Sequence, residues 1–196
     1  MPGKADATRQ RLLDAALEEF AEYGIAGARV DRVAAVAGTN KAQIYHYFGS
    51  KDQLFDAVFN GIVERIVRET PIDAHDLPGY AAALARGYEA HPQVARLATW
   101  QRLERAGDPP VPLAVESMRH KVEVIAKAQA EGILTTEFPP GILMNLVLHL
   151  SLVWTAVNPE SAAVVETVTP DERAHYVATA VRRLLSGGPG DAEGGA

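Results

Sequence analysis

Ala37-Gly-Thr-Asn-Lys-Ala-Gln-Ile-Tyr-His-Tyr-Phe-Gly-Ser-Lys-Asp-Gln-Leu54 holds two helix starts and two stop signals within one short stretch. Asn40 followed three residues later by Gln43 has the form of a capping box: the first side chain accepts an exposed backbone N–H and the second reaches back. Ile44 and Phe48 lie one turn apart, as the buried stripe of a short helix requires. Gly49 stops that helix, and Ser50-Lys-Asp-Gln53 opens the next with a second capping-box match. With Ile44 and Phe48 turned inward, Lys41, Ala42, Gln43, His46 and Tyr47 are left on or near the outer face.

The same period runs upstream. Leu13, Ala16, Leu17 and Phe20 follow the spacing of an amphipathic helix, with Asp14, Glu18 and Glu22 on its wet side and Gly24 as its stop. Val30, Val33, Ala34 and Ala37 repeat the pattern in a shorter helix closed by Gly38. Gly38-Thr39-Asn40 is then the tight glycine-containing turn of a helix-turn-helix, packed on the first helix. The outer face of the third helix displays an ammonium, an amide, an imidazole and a phenol. Such groups suit a major groove: Gln pairs bidentately with adenine, Lys and His reach purine acceptors, and a phenol bonds phosphate. The free N–H groups at that helix's start also favour phosphate. A small helical subdomain with a solvated polar face would look the same by composition, and such geometry also occurs without DNA.

Charge distribution separates this region from the rest. The 196 residues carry a formal charge of −6, which argues against a uniformly basic coat. Residues 1–51 hold seven bases against six acids, whereas residues 52–196 hold 12 against 19. Only the first part is suited to approach a polyanion. The absence of cysteine excludes disulfides, thiolate chemistry and Cys-based zinc sites, and it fits a reducing compartment. Met1-Pro-Gly-Lys-Ala-Asp6 lacks a signal peptide's apolar core, so a cytoplasmic protein is expected. Phe138 to Val157 is mostly apolar, but Pro139, Pro140, Asn145, His149, Ser151 and Thr155 interrupt it. A buried helix is the better reading than a membrane span.

Residues 8–63 closely resemble the N-terminal DNA-binding domain of TetR/AcrR-type transcriptional regulators. Thr8-Arg-Gln-Arg-Leu-Leu-Asp-Ala-Ala-Leu17, Phe20-Ala-Glu-Tyr-Gly24 and the stretch 37–54 carry the likeness, above all Tyr45-x-Tyr47-Phe48 followed by Ser50-Lys51. The resemblance implies that Lys41, Gln43 and His46 face the groove, with Ala42 beside them. It implies that Tyr45 and Tyr47 touch the sugar-phosphate backbone, and that Lys51 clamps a phosphate. Ala28-Arg29 stands where the family often has a capping Ser or Thr; the cap is lost, and Arg29 restores the phosphate contact by charge. Thr39 and Gln43 also depart from the family's usual residues.

The expected architecture is all-α: a helix-turn-helix domain over 1–51, a helical ligand-binding and dimerisation domain over 52–186, and a floppy tail over 187–196. Helices are expected from Ser50 to Pro71 and over 76–90, 92–106, 112–131, 140–157 and 170–185, the last opened by Thr169-Pro-Asp-Glu172. In the family, two helices near the C-terminus form a four-helix dimer interface. By resemblance these are 140–157 and 170–185, with Leu143, Leu146, Val147 and Leu150 on one, and Val177, Val181 and Leu184 on the other. Helix 140–157 is apolar nearly all round and needs cover on several sides. A partner subunit is one source of cover; the core of its own domain is the other.

A small-molecule pocket is mostly apolar with a few convergent polar groups. Residue type nominates Tyr88, Trp100, Leu103 and Met118, together with Asn145, His149 and Trp154. Asn145 and His149 share a helix face, and backbone-satisfied polar groups would explain them equally. Asp73-Ala-His75-Asp76 and Glu116/His120 lack a further ligand at a metal-motif spacing, and no phosphate loop or nucleophile elbow is present. The expected protein is therefore not an enzyme and has no metal or cofactor. It is expected to be a homodimeric regulator, a repressor in preference to an activator, that binds double-stranded DNA and a small-molecule effector. The alternative is a helix-turn-helix module for protein–protein contact.

Overall fold

The computed structural model describes residues 4–155, 160, 163–164 and 167–186. Their regular structure is helical: α1 (Lys4–Gly27), α2 (Val30–Val36), α3 (Lys41–Phe48), α4 (Lys51–Glu69), α5 (Leu77–Ala90), α6 (Pro92–Glu104), α7 (Pro112–Ala130), α8 (Pro140–Ser151) and α9 (Pro170–Ser186). A 3₁₀ turn over Val153–Thr155 follows α8. The all-α class is as expected. The expected tail at 187–196 lies outside the described residues, as does the expected helix end at residue 157. Helix α8 itself stops at Ser151, short of that end, where the Leu152 N–H bonds back to Leu148 and His149 and the chain tightens.

Contacts divide the chain into Met1–Ile66 with His91–Val115, and Val67–Ala90 with Glu116–Ala196. This division falls later than the one expected after Lys51. The reason is packing: α4 buries Leu54, Phe55, Val58 and Ile62, and Phe55 meets Phe20 of α1 edge-on at 5.2 Å between centroids. Such pairs contribute about 1 kcal/mol beyond the area they bury. Helix α6 belongs to the same unit, packed along α1.

In α1 the buried stripe is Leu12, Ala15, Ala16 and Phe20, with Leu13 and Leu17 half-buried. Its centre is therefore shifted by one residue from the expected stripe. Gly24 breaks the helix as its type suggests, with φ 71 and ψ −177, and one further turn leads to Gly27. A Cβ at Gly24 would stand 2.5 Å from Glu104 Oε1 and 2.9 Å from the Trp100 ring, so both backbone and space demand glycine. In the second unit, α9 packs chiefly on α5 and also on α8. Thr169 and Glu172 form the full reciprocal box: the Thr169 N–H donates to the Glu172 carboxylate at 2.7 Å, and the Glu172 N–H to Thr169 Oγ1 at 3.3 Å.

Candidate nucleic-acid interface

Helix α3 is held by its two buried residues, Ile44 and Phe48, against a core that includes Val33, Ala34 and Ala37. Its N-terminus is capped as the spacing predicts, the Gln43 N–H donating to Asn40 Oδ1 at 3.2 Å. Gly38 and Gly49, with φ of 64 and 79, turn the chain at either end. Ser50 Oγ accepts the Gln53 N–H at 3.0 Å and opens α4. These fixed ends leave one face outward. Lys41, Ala42 and His46 are exposed, Gln43 and Tyr47 are half-buried, and Tyr45 is 45% exposed. The rings of His46 and Tyr47 meet edge-on at 5.3 Å, so the imidazole and phenol support one another.

The cations around this face differ in their freedom. Lys41 Nζ lies 3.4 Å from the exposed Asp31 carboxylate, a surface pair worth little and open to competition from phosphate. Arg29 has an exposed side chain and no side-chain cap on α2. Lys51, the expected phosphate clamp, also makes contacts within the chain. Its ammonium donates to the carbonyls of Ala26 and Ala28, both at 3.3 Å, and so ties the start of α4 to the turn after α1. Two of its three donors are already used.

Sequence reasoning missed two acids that hold this frame. Glu19, 8% exposed, takes over the missing cap of α2: it accepts the Arg29 N–H at 2.7 Å and pairs with Arg32 at 2.6 Å. Burial pushes its carboxyl up, but the hydrogen bonds from Arg32 and Arg29 outweigh this and hold it below the ordinary value. The readable signal was an acid on the apolar stripe between Ala16 and Phe20. Glu104 of α6 accepts the N–H groups of Ile25 and Ala26, both at 2.8 Å, which the break at Gly24 leaves without helical partners.

The expected pocket residues are divided between the two units. Trp100 belongs to the first unit, where its indole N–H donates to the Ala21 carbonyl, and Leu103 of the same unit is 68% exposed. Both therefore stand outside the second unit. Asn145 and His149 are exposed on α8 and bonded to their own helix's carbonyls, at Gly141 and Asn145. Tyr88, Met118 and Trp154 are half-buried in the second unit, and burial raises the Tyr88 phenol. The expected interface residues split as well. Leu143, Val147, Val177 and Val181 are fully buried in their own unit, which removes them from any contact with a second chain. Leu146, Leu150 and Leu184 are half-buried, beside the exposed Ile142 and Tyr176. Asp73 and Asp76 serve as turn and helix caps, accepting the N–H groups of His75 and Gly79.

Residues 12–58 match the family model of bacterial regulatory proteins of the tetR family, and residues 76–183 match that of the tetracyclin repressor-like C-terminal domain. The chain is 35% identical over 158 residues to the HTH-type transcriptional repressor SCO4008 of Streptomyces coelicolor, which covers 79% of this chain and 81% of that one. The crystal structure of the transcriptional regulator SCO4942 of the same species superposes with a TM-score of 0.82 at 38% identity, over 91% of this chain and 98% of that one. FadR of Bacillus subtilis, in complex with stearoyl-CoA, shares the fold at a TM-score of 0.66 and 14% identity, over 90% and 97% of the two chains. Among the described residues no helix is long and apolar enough to cross a membrane. An outward α3 capped by Asn40, set in a frame that both family models span, makes this chain a member of the TetR family of DNA-binding, helix-turn-helix transcriptional regulators.

Proposed function

We propose that this regulator is a cytoplasmic repressor that binds a palindromic operator as a homodimer through α3 and is released by a small-molecule effector. The exposed Lys41 and His46 and the half-buried Gln43 on α3 carry the reading, because they put base-pairing groups on a rigidly capped helix. The name of the Streptomyces coelicolor relative supports repression. The half-buried and exposed apolar edge of α8 and α9 supports the dimer: among the described residues Ile142, Leu146, Leu150, Tyr176 and Leu184 have no cover sufficient to bury them. Two heads about 34–36 Å apart would then meet successive half-sites.

Effector release is supported by the stearoyl-CoA complex of the Bacillus subtilis relative and by polar groups in the second unit. Among the described residues the buried Trp154 indole N–H has no hydrogen-bond partner, and it shares that unit with the half-buried Tyr88 and Met118. An effector releases DNA only if it prefers the conformation that binds DNA poorly. Selection of duplexes from a random pool, followed by a metabolite screen for loss of the bound band, tests the proposal. A palindromic selected site and a metabolite that removes the band are expected; selected sequences without a common motif would contradict it.

A further inference from the structure

The spacing of charge along α3 extends the DNA interface to a residue outside the helix-turn-helix. Helix α3 has eight residues and is about 12 Å long, close to the width of a major groove. A helix lying across that groove therefore brings its two ends toward the phosphates of opposite strands. At its start stands Lys41. Beyond its end stands Lys51, two of whose three donors go to the carbonyls of Ala26 and Ala28.

Another cation is held at that end. The Arg9 guanidinium of α1 lies 5.4 Å from the centroid of Phe48, the last residue of α3. Phe48 in turn neighbours Tyr47 at 6.2 Å between ring centroids, and Tyr47 neighbours His46 at 5.3 Å. Arg9 thus stands at the C-terminal end of α3. It is exposed, and among the described residues no carboxylate pairs with it. A guanidinium resting on a ring keeps its N–H edge open, and that planar fork matches phosphate in a bidentate fashion.

We propose that Arg9 is a backbone-phosphate contact, so that α1 and α3 grip opposite walls of the groove. The proposal rests on the DNA-binding reading. A phosphate contact carries no sequence information; it fixes position and adds to the salt dependence of binding.

The test uses the full-length protein and the duplex selected by the wild type, titrated between 50 and 200 mM salt. Arg9→Ala is expected to bind severalfold more weakly to the selected duplex and to its single-base variants alike. Its slope of log affinity against log salt is expected to fall by about one per protomer, equivalent to about 3.5-fold less loss over that fourfold rise in salt. Arg9→Lys is expected to keep the wild-type slope, and Arg11→Ala to match the wild type throughout. Denaturant unfolding of Arg9→Ala separates packing on Phe48 from contact with DNA. Unchanged affinity and slope in Arg9→Ala would overturn the proposal. So would weaker binding with an unchanged slope and a lowered unfolding midpoint, since that is the signature of a structural role. A wild type with no salt-dependent binding would instead overturn the DNA-binding reading, and the Arg9 contact with it.

Discussion

In the first unit, breaks in the helical run are closed by polar side chains that arrive from elsewhere in the same unit. Glu104 takes the N–H groups freed at Gly24, Glu19 takes the one at Arg29, and Lys51 takes the carbonyls of Ala26 and Ala28. In the second unit α5, α8 and α9 bury Tyr80, Leu84, Leu143, Val147, Val177 and Val181. One ion pair joins Arg173 of α9 to Glu89 of α5 at 3.1 Å, and among the described residues Tyr80 Oη and Trp154 Nε1 are buried with no hydrogen-bond partner. Hydrogen bonds have direction and fix the attitude of a short helix; apolar burial is non-directional and fixes only which face is covered. The contrast fits a reading head that must present α3 at one angle and a second unit free to adapt its interior.

Two glycines break or sharpen this contrast most strongly. Gly24 and Gly132 both have positive φ, at 71 and 72, but only Gly24 is crowded, by Glu104 and Trp100. Gly24→Ala is expected to lower stability by about 3 kcal/mol, through a backbone region nearly closed to other residues and through a clash. Gly132→Ala, with nothing within 4 Å, should cost only about 1 kcal/mol. Equal urea midpoints for the two variants would mean that the Glu104 and Trp100 clamp is not tight.

Removing the acid cap comes next. Glu19→Gln is expected to cost about 2 kcal/mol, as a half-exposed Arg32 loses its partner and α2 its cap. Because the folded carboxyl lies below its ordinary value, its contribution is complete above the ordinary Glu range. It is lost as pH falls through the lower folded value. Unfolding midpoints followed into acid should therefore converge for wild type and Glu19→Gln. Parallel curves would place the stabilisation elsewhere.

The two faces of α8 give a matched pair in the second unit. Val147→Ala, on the buried face, should lower stability by about 2 kcal/mol and leave the oligomeric mass unchanged. Leu146→Glu, on the outer face, should leave a monomer by light scattering; an unchanged mass would move the dimer contact off α8. The smallest effect is expected from Lys51→Ala. Loss of two bonds to carbonyls costs about 1 kcal/mol, and the salt slope should change less than in Arg9→Ala.

Local chemistry was readable from the chain, and long-range contacts were not. Asn40, Ser50 and Thr169 cap as their spacing predicts, and Gly24, Gly38 and Gly49 turn where they stand. These are interactions within a few residues. Residue type also picked out the outer face of α3, since two buried side chains on a short helix leave little choice. Helix α8 offered no such choice: apolar on nearly every side, it hid which of Leu143, Leu146, Val147 and Leu150 point inward. Trp100 suited a pocket wall by type, but its partner is the Ala21 carbonyl, 79 positions away. The role of Glu19 was legible only as an anomaly, an acid on an apolar stripe whose partners lie beyond the next turn.

The most direct test of the account is a binding profile of wild type and Gln43→Ala against every single-base variant of the selected duplex. If α3 reads the groove, the variant should lose about 1–3 kcal/mol of discrimination at one position per half-site and keep the wild-type pattern elsewhere. Superimposable profiles would show that α3 does not read bases and would contradict the account at its centre.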